Sequence, residues 1–232
     1  TDFRSVDIGH MAARQHIEGR GGLQAHVVGL TNNLDISGSL EWDEFVFRDW
    51  PFGTVSGDFH WHVREDLEFT SMRGHRGETD FEAEARVLFA NRKWGGTRER
   101  IEIALEAVVP EGHGRFEDVL PIFFGDRVNI HGEGAGRVRL SGPPAALNGE
   151  GTATGKGLSW LGESFDTADV VARVQDGRLT IDQLWARKES GNGLFARGSV
   201  ARGGIVDVEF RVADLGIEEL SAVRSLLPPT KR

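Results

Sequence analysis

The chain repeats itself, and that limits the folds open to it more than any other feature. Laid side by side without a gap, residues 3 to 52 and 116 to 165 share Phe3, Val6, Arg14, Ile17, Gly19, Gly21, Gly29, Leu34, Gly38 and Phe52, each matched 113 positions later. Ten identities in fifty pairs is about three times what composition alone gives, the mark of a structural unit used twice. Further along, Leu67 and Phe69 face Leu179 and Ile181 at a shift of 112, and Phe81 faces Phe195 at 114. Slips of this size belong in turns. A third start, "DLGIEELSAVRSLL", puts Ile217 and Leu220 in the places of Phe116 and Val119 at a shift of 101. The expected organisation is one elongated domain over 1–232: a repeat at 3–115, a second at 116–216, and the start of a third at 217–232. The second is the shorter because it lacks the polar insert "NRKWGGTRER" at 91 to 100.

Inside each copy apolar residues alternate, as half-buried strands require. Val55, Gly57, Phe59, Trp61 and Val63 form one such run; Phe81, Ala83, Ala85, Val87 and Phe89 another; Ile101, Ile103, Leu105, Ala107 and Val109 a third. His60, His62, Glu82, Glu84, Glu102 and Glu106 fill the opposite face. The second copy does the same with Val170, Ala172 and Val174, then Leu179 and Ile181, then Val206, Val208, Phe210 and Val212. Thirty-one glycines against seven prolines fit many strands joined by tight turns. The expected fold is all-β with short helices: a curled antiparallel or mixed sheet of about fourteen strands, forming an elongated groove. Each copy opens on an amphipathic segment, "FRSVDIGHM", "FEDVLPIFF" or "IEELSAVRSLL", read as a short helix that caps or crosses the sheet, the middle one shortened by Pro121.

Several function classes drop out. A formal charge of −9, with 27 basic residues scattered among 36 acids, lacks the clustered Lys and Arg that a nucleic-acid surface needs. The absence of cysteine removes disulfides and thiolate metal sites and leaves the compartment open. There is no run of 18 apolar residues and no apolar signal-peptide core near the start; a piece of a longer anchored or exported protein has the same appearance. The glycine-rich stretch "NGEGTATGKGLS", residues 148 to 159, invites comparison with a phosphate loop. Gly155 and Lys156 are followed by Gly157 instead of Ser or Thr, and the glycine required five residues earlier is Glu150, so the motif fails twice. In the repeat this stretch lies opposite "DISGSLEWDEFV", where Gly38 and Gly151 coincide, at a strand position whose small residue lets the sheet curl or bulge. Lys156 is expected to be a solvated outer residue.

"HWH" at 60 to 62 puts two imidazoles on one strand face at a spacing that suits zinc or copper. A third ligand would have to come from elsewhere, such as a neighbouring strand; Arg173 and Gln175 stand there in the second copy, and two surface histidines remain the simpler reading. "LGESFD" at 161 to 166 lacks the second glycine of a nucleophile elbow. The acid pairs Glu117 with Asp118 and Glu218 with Glu219 read as solvated charges. No catalytic residue, resident metal or cofactor is expected.

That leaves the apolar face. A second sheet covering it would make an ordinary sandwich. The aromatic weight at alternating positions, within units that stack end to end, favours an open groove suited to acyl chains. Its candidate wall is Phe45, Phe47, Val55, Phe59, Trp61, Val63, Leu67, Phe69, Phe81, Val87, Phe89, Ile101, Ile103 and Leu105 in the first copy. In the second it is Leu158, Trp160, Val174, Leu179, Ile181, Val206, Val208 and Phe210.

The motifs "LSGPPAALNGEG", "VQDGRLTIDQL", "GLFARGSV" and "DLGIEELSAVRSLLP" occur in this order over about a hundred residues. Together they make the chain resemble the AsmA-like superfamily, most closely its TamB branch. The first copy fits less well, with "GLTNNLDISGSL" and "REDLEFTSMRG" in the corresponding places. The resemblance implies a β-taco in the periplasm, part of a long protein anchored in the inner membrane through segments outside this chain. It implies a non-enzymatic scaffold carrying phospholipid or another acyl-chain lipid towards the outer membrane. It also implies a link to outer-membrane protein assembly with a BamA-like barrel partner. Two further readings stay open: an interaction module that binds unfolded outer-membrane strands by β-augmentation, and a carbohydrate-binding or adhesive solenoid with Trp42, Trp50 and Trp94 clustered on the outer face.

Overall fold

A computed structural model describes residues 17–30, 33–47, 50–62, 65–90, 100–124, 129–143, 146–160, 162–175, 178–191, 193–200 and 206–213. Strands β1 (Ile17–Leu30), β2 (Asn33–Phe47), β3 (Trp50–His62), β4 (Asp66–Arg76), β5 (Thr79–Ala90) and β6 (Arg100–Val109) are followed by helix α1 (Phe116–Phe124). Six more come after it: β7 (Ile130–Gly142), β8 (Asn148–Trp160), β9 (Glu163–Gln175), β10 (Arg178–Arg187), β11 (Gly193–Val200) and β12 (Val206–Ala213). All twelve lie in one sheet in chain order. Every strand pairs antiparallel with its neighbour in sequence. The fold is all-β, an open curled sheet, with no parallel pair among the described residues. At about 4.8 Å per strand the sheet extends about 53 Å.

Bulges supply the curl. The register shifts between Glu18 and Arg20 in the β1–β2 pair, around Phe45 in β2–β3, and between Ser56 and Asp58 in β3–β4. It shifts again between Phe69 and Met72, between His131 and Glu133, and around Ile181 in both pairs that β10 makes. An extra residue on one strand bends it and sharpens its twist. The first bulge of each half falls 113 positions from the other, with its extra residue on β2 or β8, and the single residue facing it is a glycine, Gly19 at φ 146° or Gly132 at φ 137°.

The apolar side chains gather in two clusters on one face. Leu40, Val55 and Phe59 are buried in the first, with Leu23, Ala25, Ile36, Trp42, Phe45, Phe52, Leu67, Phe69, Met72 and Phe81 packed against them. Leu158, Phe165, Ala168, Ala186 and Leu194 form the second, flanked by Phe116, Ile130, Trp160 and Leu184. No second sheet covers this face among the described residues, which form one sheet and not a sandwich.

Helix α1 crosses one end of the sheet and touches both β7 and β3. Those strands are four apart, about 19 Å in a flat sheet, and the curl brings both onto a helix about 13 Å long. Asp118 accepts hydrogen bonds from the Glu78 amide at 2.8 Å and the Thr79 hydroxyl at 3.0 Å, and Thr79 is 1% exposed. On the other side Glu117 accepts from the Gly132 amide at 3.1 Å. Pro121 does not shorten the helix, which runs on to Phe124. At the sixth residue proline removes a single intrahelical donor, leaving the Glu117 carbonyl without its partner. The other two amphipathic segments, the insert through residue 99, and the third repeat start lie outside the described residues.

Candidate functional site

Register shows how far the apolar face continues. Residues paired directly across antiparallel strands project to the same side. One row can be followed strand by strand through Ala25, Gly38, Phe59, Phe69, Ala85 and Leu105, then Leu140, Gly149, Val174, Leu179, Val200 and Val206. Its described side chains run from β1 to β10 without a polar residue, and the backbone register carries it on to Val200 and Val206 in β11 and β12. A second row beside it runs Val27, Ile36, Trp61, Leu67, Val87 and Ile103. The row between them, on the opposite face, reads Ser37, His60, Glu68 and Arg86, so polarity changes side by side with the pleat.

The candidate wall residues fall into three sets. Val55, Phe59 and Leu158 are buried in the two clusters, where their side chains hold the sheet together. Phe45, Trp61, Leu67, Phe69, Phe81, Val87, Phe89, Ile103, Leu105, Trp160, Val174, Leu179 and Ile181 are half-buried. Val63 lies outside the described residues, and for Phe47, Ile101, Val206, Val208 and Phe210 only the strand backbone is described. Sequence reasoning missed Leu40 and Leu140, 4% and 8% exposed. The first alternates with Ile36, Gly38 and Trp42, the second with Val138, and that alternation was the available signal.

Aromatic rings pack along this face, Trp42 on Phe45 at 5.2 Å and Phe45 beside Phe52 at 5.9 Å between centroids. Trp42 therefore belongs to the apolar side, which counts against an outer tryptophan cluster; Trp94 and the Trp50 side chain are not described. The indole N–H groups of Trp42 and Trp61 are covered and have no partner. A bare buried donor is costly, and here two of them border the apolar rows.

The stretch 148 to 159 is strand β8, with no helix after it to receive a phosphate. A Cβ on Gly38 would fall 1.9 Å from the Gln24 carbonyl oxygen, whereas one on Gly151 meets nothing nearer than 3.4 Å. Close approach thus explains Gly38 but not Gly151. The glycines of β8 that matter are Gly149, where a Cβ would fall 2.0 Å from the Arg139 carbonyl oxygen, Gly155, which lies under the Phe116 ring of α1, and Gly157, at φ 58° in the bulge of β8 opposite Gly132. Lys156 projects outward and pairs with Glu111, whose carboxylate raises the lysine's pKa.

The outer face is held by cross-strand ion pairs. Arg139 gives Glu106 two hydrogen bonds, at 2.9 and 3.1 Å. Arg173 binds Asp182 at 2.7 and 2.5 Å. At the end of the sheet away from α1, Asp66 is 5% exposed. Burial alone would raise its pKa, but hydrogen bonds from Arg86 and then His62 outweigh that and hold the carboxyl below the usual range. His62 is raised in turn, chiefly by its bond to Asp66. Asp35, His60 and His62 bring three potential metal-ligand atoms within 4.8 Å of one another. The group that stands third beside the "HWH" pair is thus the carboxylate of Asp35, on the neighbouring strand β2.

No family model, curated protein or solved structure matches this chain.

Proposed function

We propose that the chain is a non-enzymatic lipid-transfer scaffold whose concave face shields the acyl chains of phospholipid while headgroups stay at its mouth. In this reading it acts in the periplasm, as a section of an inner-membrane-anchored AsmA-like protein of the TamB type, and lipid passes along it towards the outer membrane. The observation that carries the proposal is the apolar row whose register runs across twelve strands in a sheet over which no second layer lies among the described residues. A site for one small molecule would end; a row that repeats at every strand offers equivalent positions along its length. Each methylene taken from water into such a groove contributes about 0.8 kcal/mol.

The test is mass spectrometry of lipid carried by the purified protein, with uptake of a fluorescent acyl probe. Phe59 is a core residue, so the informative changes fall on half-buried wall positions: Phe89→Ser and Ile103→Asn are expected to reduce bound lipid several-fold while the protein still folds. Absence of lipid from the wild-type protein, together with no uptake of the probe, overturns the reading.

One observation favours a second reading. The end of edge strand β1 exposes Val27, Val28 and Leu30 at 54, 55 and 75%, an open and apolar edge of the kind to which a foreign strand adds. An unfolded outer-membrane strand or a BamA-like barrel partner would engage there, and crosslinking from β1 in the absence of bound lipid would support this module over the conduit.

A further inference from the structure

The outer face of the first half carries a constellation that neither the groove nor the ion-pair clamps account for. His60 and His62 stand two apart on β3, so their rings share a side, with centroids 4.1 Å apart. Asp35 on β2 is the direct partner of His62. Its carboxylate lies between the rings, Oδ1 2.5 Å from His60 Nε2 and Oδ2 3.7 Å from His62 Nε2. The same nitrogen of both imidazoles therefore faces one carboxylate.

A second layer fixes the geometry. His62 Nδ1 is 2.9 Å from Asp66 Oδ1, and Asp66 is held by the Arg86 Nε of β5 at 2.8 Å. A carboxylate on the far nitrogen is how metal-bearing imidazoles are commonly oriented, because it sets the tautomer and turns the other nitrogen's lone pair outward. In neutral His62, with Nδ1–H given to Asp66, the Nε2 lone pair points at the Asp35 carboxylate. Two electron-rich atoms then confront each other across 3.7 Å, and a cation between them satisfies both.

We infer that Asp35, His60 and His62 form a site for one divalent transition-metal ion of the zinc type, with two Nε2 atoms and a carboxylate oxygen as ligands and water in the fourth position. Two imidazoles with one carboxylate favour this class over calcium or magnesium, which take mainly oxygen ligands. Ligand bonds of about 2.0 Å in a tetrahedron place donors about 3.3 Å apart. The 2.5 and 3.7 Å separations straddle that value, so shifts of side chains suffice.

The ion would pin β2 to β3 and, through Asp66 and Arg86, reach β4 and β5. In the second half Asn148, Arg173 and Gln175 stand 113 positions after Asp35, His60 and His62. There the Arg173–Asp182 pair clamps β9 to β10 directly. The metal site belongs to the first half alone.

The experiment is calorimetric titration of the untagged, chelator-treated protein with zinc, repeated with cobalt to read the visible absorption of a tetrahedral site. One ion per chain is expected. His60→Ala or His62→Ala should weaken binding at least 100-fold and abolish the cobalt spectrum, and Asp66→Asn should keep the stoichiometry while weakening affinity about 10–100-fold. His75→Ala, at the opposite end of the sheet, should leave binding unchanged. Saturating zinc should raise the urea midpoint of the wild-type protein and not of the His60→Ala/His62→Ala variant, with the metal-free midpoints serving as the check on folding. Zinc binding that is no tighter in the wild type than in the double variant overturns the site, as does binding that His75→Ala removes.

Discussion

At the scale of single residues, the two halves solve one backbone problem with different side chains. Glu44 has φ 52° and Gly157, 113 positions later, has φ 58°, each inside the first bulge of its half, on the strand that carries the extra residue. Glycine adopts this left-handed conformation without the Cβ penalty, whereas a glutamate there stores strain. Glu44 is exposed and has no described contact that would offset it. Glu44→Gly is accordingly expected to stabilise the protein by about 1 kcal/mol, read as a higher urea midpoint at unchanged slope. Gly157→Ala should lose a similar amount, although nothing lies within 4 Å of the Cβ it would add. Equal midpoints for Glu44→Gly and the wild type would show that the strain is relieved elsewhere.

At the scale of elements, the outer face works as a set of clamps between neighbouring strands, and its pH response can be assigned a direction. Glu106 of β6 is held below its ordinary 4.5 chiefly by the hydrogen bond from Arg139, against some desolvation, with the charges of Arg139 and Arg137 of β7 adding to it. A lowered carboxyl contributes stability that is present above the unfolded value and lost as pH falls through the folded one. The urea midpoint should therefore drop as pH is taken below about 4.5, and Glu106→Gln should make that acid limb shallower while changing the midpoint little at low pH. An unchanged acid limb would mean that the clamp does not persist in solution.

The elements also show what was legible in sequence. Alternation reports the pleat directly, so the runs through Phe59, Phe81 and Ile103 located β3, β5 and β6 and the side each residue faces. Which of these residues become core depends on curvature, and period two does not encode curvature. Phe59 ends up 8% exposed while Phe89, at an equivalent alternating position, stays half-buried. The bulge glycines Gly19 and Gly132 were visible as repeated identities, but Glu44 gave no hint of its backbone. The "HWH" spacing could be read from neighbouring residues. Asp35, 25 positions from His60, joins it only because the β2–β3 register sets it opposite His62. Pro121 was over-read, since breaking one hydrogen bond does not end a helix that its flanking carboxylates tie to two strands.

At the scale of the whole molecule, the decisive property is that the sheet of described strands stays open, with edges at β1 and β12. A long strand with an unpaired, apolar side is a template for association, and β1 has Val28 and Leu30 outward and Val27 inward at that edge. Self-association that increases with protein concentration is expected, and Val28→Lys should shift the sedimentation profile towards monomer without lowering the urea midpoint by more than a few tenths of a kcal/mol. If the profile does not respond, association runs through another surface. The same openness lets one groove be continued by further copies of the unit, with each added strand lengthening the apolar row by about 4.8 Å.

The order of the strands has a mechanical consequence. Each described strand bonds only to the strands before and after it in the chain, and α1 is the element that ties the non-adjacent strands β3, β5 and β7. Pulled from its two ends, the molecule would open as a zip does, one strand peeling at a time at forces set by single hairpins, until the strands held by α1 are reached. Relaxed, it could close again from whichever hairpin remained.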